Sequence, residues 1–311
     1  ILSAAGFATG LISTVSALIG DQELDTGFHV TTPEATEIQE YLAKMAAQGT
    51  THVVVEATSH GLAQHRVSAC EFDIGVVTNI THEHLDYHGT IEKYREAKLK
   101  LFRRVKYAVL NEDEPSFKNF QFSINNFQSN SNVEIIKYSK TKLRNISPAL
   151  EGEYNKYNIA AAEAVAKLLG IQDNKIKRIV KGFAGVPGRR EEVKAGQKFR
   201  VFVDFAHTPN ALEQVIKSLK ALKAAKSKLI VMFGCTGERD KEKRPIMGEI
   251  TARLADVVII TSDDTRGENQ DEIYKQIEGG ISNVEARKAN RTLFKENDRR
   301  RGIEMAVGMA K

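Results

Sequence analysis

Short apolar, β-branched runs alternate along the chain with longer stretches whose apolar residues recur at helical spacing. That alternation predicts an α/β fold with a largely parallel sheet. In the first half the expected strands are "GLISTV", "THVVVEAT", "FDIGVVTNI" and "YAVLNED". "TTPEATEIQEYLAKMAAQG" reads as a helix, with Pro33 near its start and Gly49 after its end. "TIEKYREAKLKLFRRV" reads as a second, with Thr90 as N-cap and Leu99, Phe102 and Val105 on its apolar side. "KNFQFSINNFQSNSNVEII", rich in Asn and Ser, predicts an irregular or edge region. "YNKYNIAAAEAVAKLLGI" predicts a strong helix, and "NKIKRIVKGFAG" follows it.

"GVPGRREEV" punctuates the chain and reads as a linker, which divides it into domains 1–186 and 187–311. The alternation then restarts with strand "FRVFVDFAH", helix "PNALEQVIKSLKALK", strand "KLIVMFG", a charged loop, helix "IMGEITARLA" and strand "DVVIITSDD". This order is Rossmann-like, and in such sheets the C-terminal strand ends face a ligand crevice. The functional loops are therefore expected at "TSHG", "NITHEH", "DFAHTP", "GCTGERDKEKRP" and "SDDTRGE".

Length and composition narrow the class. The 311 residues have room for roughly two domains of about 150 residues. At 41% hydrophobic and 27% charged, the chain is ordinary for a soluble globular protein. No apolar run reaches the ~20 residues that cross a bilayer. "ILSAAGFATGLISTVSALIG" is interrupted by glycines and by Ser13, Thr14 and Ser16, and it lacks the basic segment of a signal peptide. Cys70 and Cys235 lie far apart, which predicts neither a disulfide framework nor a zinc knuckle and places the protein in a reducing cytoplasm. A formal charge of +5 suits anionic ligands. Much of the excess falls in "ARKANRTLFKENDRRRG", read as a basic, solvated helix rather than a nucleic-acid site.

"TNITHEHLDYHGT" sets His82, His84 and His88 among Glu83 and Asp86. Such histidines are as often surface hydrogen-bonding groups as metal ligands. A helical zinc site needs histidines at i,i+4, which "HEH" lacks, and Cys70 is not placed to help.

Nine stretches, in order, carry a resemblance: "TTPEA", "EATSHGLAQHRV", "FDIGVVTNITHEHLDYHGT", "YREAKLKLF", "EYNKYNIAAA", "VPGRREEV", "VDFAHTPNALE", "FGCTGERDKEKRPIMGEI" and "ADVVIITSDDTR". Together they resemble the Mur ligases of the MurE type, which add the third amino acid of the peptidoglycan stem peptide. The resemblance runs from the start of the chain to about residue 305. It implies a P-loop-type central domain with a mostly parallel sheet, followed by a Rossmann-like C-terminal domain. It also implies a glycine-rich P-loop immediately before Ile1, a uridine-nucleotide domain before that, and a Gly-Lys-Gly-His-Glu motif beyond the last residue. On this reading the chain is a fragment, inactive by itself and monomeric. The segment between "VLNED" and "EGEYNKYN" is short for the family, which trims the expected central sheet.

The same resemblance assigns roles. ATP phosphorylates a substrate carboxylate, and an amine then displaces the phosphate. A magnesium ion beside the γ-phosphate would be held by Glu56, His84 and a carbamylated Lys98. Oxygen ligands suit this hard cation, and manganese can replace it. His82 and His88 would lie around that centre or be structural, with Asp86 orienting a histidine. Thr31, Thr32, Thr58, Ser59, Gln64 and Arg66 match positions that grip UDP-N-acetylmuramoyl-L-alanyl-D-glutamate, and His60 is either a further contact or a core histidine. Asn155, Asn158 and Asp204 would meet the adenine and ribose of ATP, and Arg189 its phosphates when the domains close. His207, with Lys243 or Arg244, would complete the nucleotide and product contacts.

The loop Asp263-Asp264-Thr265-Arg266 stands where the family's Asp-Asn-Pro-Arg motif accompanies meso-diaminopimelate. Its arginine is kept, which favours that diamino acid over L-lysine, since lysine has no distal carboxylate to pair with it. The rival readings are another ligase of the superfamily, such as a cyanophycin- or folylpolyglutamate-synthetase-like enzyme, and a non-catalytic nucleotide-sugar-binding remnant.

Overall fold

Strand β1 (Thr9–Ile12) alternates half-buried and buried residues and ends on the fully buried Ile12, the period of a strand with one face on a core. The computed structural model describes residues 1–24, 31–80, 85–118, 121, 123–124, 133–285 and 292–310. These divide into two compact units, Ile1–Leu150 with Tyr154–Ala184, and Glu151–Glu153 with Gly185–Lys311.

In the first unit β1 pairs in parallel with β4 (His52–Val55), from Thr9↔His52 to Ile12↔Val55. On its other side β1 pairs antiparallel with β2 (Ala17–Ile19), which continues to β3 (Gln22–Leu24). Helix α1 (Ala35–Ala47) begins two residues after Pro33, which therefore lies just outside it. Glu34 is the N-cap, in a reciprocal capping box with Glu37. Ile38 and Met45 on the buried face of α1 close the core over Ile12 and Ile19, together with Leu62 and Val67.

A second sheet in this unit is wholly parallel: β5 (Ile74–Val77), β6 (Tyr107–Asn111) and β7 (Glu134–Tyr138). The Asn- and Ser-rich stretch thus ends in a strand, on the outer edge of this sheet. Short α2 (Ser59–Ala63) and α3 (Leu85–His88) precede α4 (Ile91–Leu99), whose Thr90 hydroxyl accepts from Lys93 N. The helix then tightens into a 3-10 turn, Lys100–Arg104, and its Leu99, Phe102 and Val105 are buried with Tyr94. Helices α5 (Glu153–Leu168) and α6 (Asp173–Lys181) follow.

The expected single sheet is therefore two sheets among the described residues, because β4 and β5 do not pair. Strand β4 is apolar on both faces, as a central parallel strand is, yet among the described residues its only partner is β1. Its Val53 and Val54 are 37% and 49% exposed.

In the second unit β8 (Glu191–Val193) and β9 (Val201–Val203) form an antiparallel hairpin, from Glu191↔Val203 to Val193↔Val201. Part of the expected linker is thus a strand, and "FRVFVDFAH" belongs to this hairpin and not to the parallel sheet. Helix α7 (Pro209–Leu222) starts on Thr208, whose hydroxyl accepts from Ala211 N, with proline at the first helical position. The parallel sheet is β10 (Ile230–Phe233), β11 (Val257–Thr261) and β12 (Thr292–Glu296), with β11 central and buried along its whole length. "ARKANRTLFKENDRRRG" is accordingly not one helix. "TLFKE" is strand β12, and Asp298 caps α10 (Arg299–Met309) by accepting from Arg301 N.

Helices α8 (Lys243–Leu254) and α9 (Gln270–Glu285) pack backbone to backbone: a Cβ added at Gly280 would lie 1.8 Å from Pro245 O. Among the described residues no helix is long and apolar enough to cross a membrane.

Candidate functional site

Because β1 and β4 run parallel, the loops after them leave the same edge of the sheet. This brings Thr14 onto Glu56. Thr14 N and Oγ1 both lie 3.0 Å from Glu56 Oε2, and Thr14 Oγ1 is also 3.0 Å from Thr31 Oγ1. Thr14 is a site residue that sequence reasoning missed. Its only signal was a cluster of hydroxyls directly after a strand.

A second hydroxyl pair lies beside the first. Thr32, fully buried, donates to Glu56 O at 3.0 Å and lies 3.0 Å from Thr58 Oγ1, which itself caps α2 by accepting from Gly61 N. Thr31, Thr32, Thr58 and Glu56 are thus brought together. Ser59 is buried, with Oγ 3.0 Å from His88 Nε2, a contact that ties the α2 and α3 segments together. The His60 ring meets that of Tyr87 in a tilted contact, 4.2 Å between centroids, and Gln64 Nε2 donates to the same tyrosine's hydroxyl at 3.2 Å. Arg66 donates to Thr32 O at 2.8 Å and pairs with Glu34 at 2.9 Å. Its fork is thereby oriented, and an incoming anion would compete with Glu34.

Lys98 Nζ lies 3.5 Å from Asn79 O and 5.1 Å over the Tyr94 ring. His82 and His84 fall outside the described residues, as does the side chain of Asp86. Among the described residues no three His, Cys, Asp or Glu side chains gather as a metal set. Glu56 fits a hard cation, since both of its hydrogen bonds from Thr14 fall on one oxygen. Lys98 fits only as a carbamate, because an ammonium brings charge of the wrong sign and no lone pair.

At the N-terminal end of α5, Asn158 Nδ2 donates to Asn155 Oδ1 at 3.1 Å. In the second unit the β8–β9 hairpin gathers its own group. Asp204 accepts from Arg190 N at 2.7 Å and Ala206 N at 2.8 Å, which fixes the turn on either side. Arg189 lies over the Phe205 ring at 4.5 Å, and Phe205 meets His207 at 5.0 Å between centroids. Phe205 is 40% exposed and was not foreseen as part of this group. Lys243 Nζ donates to His207 O at 3.0 Å. Arg244 is fully buried, its guanidinium committed to Glu268, Gln276 and Thr236 O, so it is not a ligand contact.

The loops after β10 and β11 also share one sheet edge. Thr236 Oγ1 donates to Asp263 at 3.1 Å, and Gly237 N to Asp264 O at 2.8 Å. Gly237 must be glycine, because a Cβ there would lie 1.9 Å from Thr265 O. Arg266 takes a left-handed φ of 49°, and its Nε is 3.8 Å from Asp264 Oδ2. Both cysteines are free thiols, and burial pushes Cys235 up to about 11 and Cys70 upward as well, so neither is poised as a nucleophile.

Two family descriptions match this chain. The Mur ligase middle domain covers residues 1–166, and the Mur ligase glutamate ligase domain covers residues 188–311. The chain belongs to the Mur ligase family.

Among relatives in that family, the UDP-N-acetylmuramoyl-L-alanyl-D-glutamate–2,6-diaminopimelate ligase of Caldanaerobacter subterraneus subsp. tengcongensis is 38% identical over 97% of this chain and 64% of its own length. The ligase of the same name from Geobacillus kaustophilus is 36% identical over 89% of this chain and 61% of its own. The chain thus spans less than two thirds of the length of these Mur ligases. A solved structure of a UDP-N-acetylmuramoyl-L-alanyl-D-glutamate–2,6-diaminopimelate ligase superposes with TM-score 0.63 at 30% identity, over all of this chain and 66% of that one. Mycobacterium tuberculosis folylpolyglutamate synthase, solved with ADP and AMPPCP, superposes with TM-score 0.67 at 15% identity over 99% of this chain and 79% of its own, which shows a common fold.

Proposed function

We propose that this Mur ligase chain carries the ATP-dependent coupling of a diamino acid, meso-diaminopimelate, to UDP-N-acetylmuramoyl-L-alanyl-D-glutamate. The observation that supports this most is the named diaminopimelate ligases at 36–38% identity over nearly the whole chain. The exposed, arginine-bearing loop after β11 agrees with it.

In this reading the γ-phosphoryl of ATP passes to the D-glutamate carboxylate and ADP leaves. The amine then attacks the acyl phosphate, an amide forms, and inorganic phosphate and a proton are released. Phosphoryl transfer asks chiefly for positioning and for positive charge around the phosphates. A magnesium ion would supply part of that charge, with Glu56 as its oxygen ligand alongside His84 and carbamylated Lys98. Thr14 orients the Glu56 carboxylate. Arg66 presents a fork already aligned by Thr32 and Glu34 to a carboxylate or phosphate of the nucleotide-sugar peptide. On the hairpin, Arg189, stacked on Phe205, faces the ATP phosphates, and Asp204 keeps its turn in shape.

Arg266 reads the distal carboxylate of the diamino acid, while the Asp264 carboxylate beside it is placed to receive an ammonium. A bidentate arginine–carboxylate contact contributes on the order of 1.5–3 kcal/mol, or roughly one to two decades of selectivity. The test is ADP release by the intact protein with ATP, the UDP-dipeptide and each diamino acid in turn. The expected result is turnover with meso-diaminopimelate, lost selectivity in Arg266→Ala, and little turnover with L-lysine. Preference for L-lysine would show that Asp264 and not Arg266 sets the choice.

A further inference from the structure

Arg244 and Glu268 lie 24 positions apart, on the first turn of α8 and in the loop that enters α9, yet they meet at the edge of the interior, where Glu268 keeps 17% of its side chain exposed. Arg244 is fully buried. Its Nη2 donates to Glu268 Oε2 at 2.5 Å and to Thr236 O at 3.1 Å, and its Nη1 to Gln276 Oε1 at 2.7 Å. Glu268 Oε1 also pairs with Lys241 at 2.5 Å, and Oε2 accepts from Glu238 N at 2.8 Å. These donors hold its carboxyl down to about 2, so the ion pair stays intact through the physiological range and loosens only in strong acid.

Glu268 closes the loop that carries Arg266. The loop is tied on its other side by Gly237 N to Asp264 O at 2.8 Å, and Glu238 Oε1 accepts from Gly267 N at 3.2 Å. Arg266 thus sits between anchors on both flanks. Its left-handed backbone is a conformation that persists only where the surroundings over-determine it. By contrast, among the described residues its own guanidinium is held by a single 3.8 Å approach to Asp264, and the side chain is 35% exposed. The backbone is locked while the head group stays available.

We propose that the ion pair of the buried Arg244 with Glu268 is a positioning device that aims Arg266, and through it sets affinity and selectivity for the incoming diamino acid. This rests on the ligase reading given above. Arg244 touches no ligand in this scheme. It acts by fixing the loop from which Arg266 reaches out, and a displacement of about 1 Å is enough to weaken a bidentate contact severely.

The test is Glu268→Gln in the intact protein, which keeps the shape and removes the charge. The expected result is a KM for the diamino acid raised about tenfold, with the KM values for ATP and UDP-dipeptide and the kcat nearly unchanged. Trypsin should also cut faster after Arg266, since the loop is no longer pinned. Arg244→Met should act alike, and the double variant should be no worse than either single change. If Glu268→Gln melts early, Gln276→Ala removes one bond of Arg244 while sparing the ion pair, and should raise the same KM about two- to threefold. A folded Glu268→Gln protein with unchanged diamino-acid KM would overturn the proposal, and so would an equal rise in all three KM values. If no diamino acid is turned over by the unsubstituted protein, the ligase reading has failed instead. The tryptic comparison then decides the pinning alone, and unchanged cleavage refutes it.

Discussion

Lys98 is the residue whose assigned chemistry differs most from its type. As an amine it carries a positive charge beside the ring of Tyr94 and the carbonyl of Asn79. As a carbamate it becomes an oxygen-bearing anion suited to a hard cation. If the carbamate reading holds, Lys98→Ala in the intact protein should lower kcat by roughly a hundredfold or more, the scale of losing one electrostatic contact at a phosphoryl centre. Bicarbonate should not restore it, and a small carboxylic acid should do so in part. Unchanged turnover in Lys98→Ala would return this lysine to an ordinary solvated helix position. Single residues were legible where their role is local, as with Thr90, whose hydroxyl caps the next helix. Thr14 and Arg244 were not, because their partners Glu56 and Glu268 stand 42 and 24 positions away. No local pattern encodes those pairings.

At the scale of elements, periodicity located most helices and the buried strands. It failed where a strand is short and polar. Strand β8 reads Glu-Glu-Val next to glycines and a proline, so turn chemistry outweighed a three-residue strand that only its partner β9 stabilises. Strand β12 was hidden by the charges around "TLFKE", which resemble a solvated helix until the sheet supplies a partner. The tight contact of α8 with α9 has a direct consequence. With Gly280 against Pro245 O, Gly280→Ala forces the helices apart. Overpacking of this kind costs typically about 1–3 kcal/mol, so the melting temperature of the protein should fall while Gly279→Ala, with open space around its Cβ, leaves it nearly unchanged. Equal melting of the two variants would contradict the close approach.

For the whole molecule, alternating strands and helices made the α/β class legible, and two family descriptions match its two halves. The division of the first unit into two sheets was not legible, since "THVVVEAT" looks like any central parallel strand. That strand matters beyond topology. Val53 and Val54 face solvent on opposite sides of β4, and its outer edge has no partner among the described residues. Such an edge is a template for strand addition between molecules. Residues 1–311 prepared by themselves should therefore lose colloidal stability as concentration rises, with scattering that grows steeply and a thioflavin-positive fraction. Val54→Lys should raise the solubility limit, because a charge on the edge repels a second copy while leaving the buried Ile12 side of the sheet untouched. Flat scattering from the unsubstituted chain would show that the edge is already protected. With scattering that rises as expected, handling of this polypeptide, from expression yield to storage, is governed by three consecutive valines.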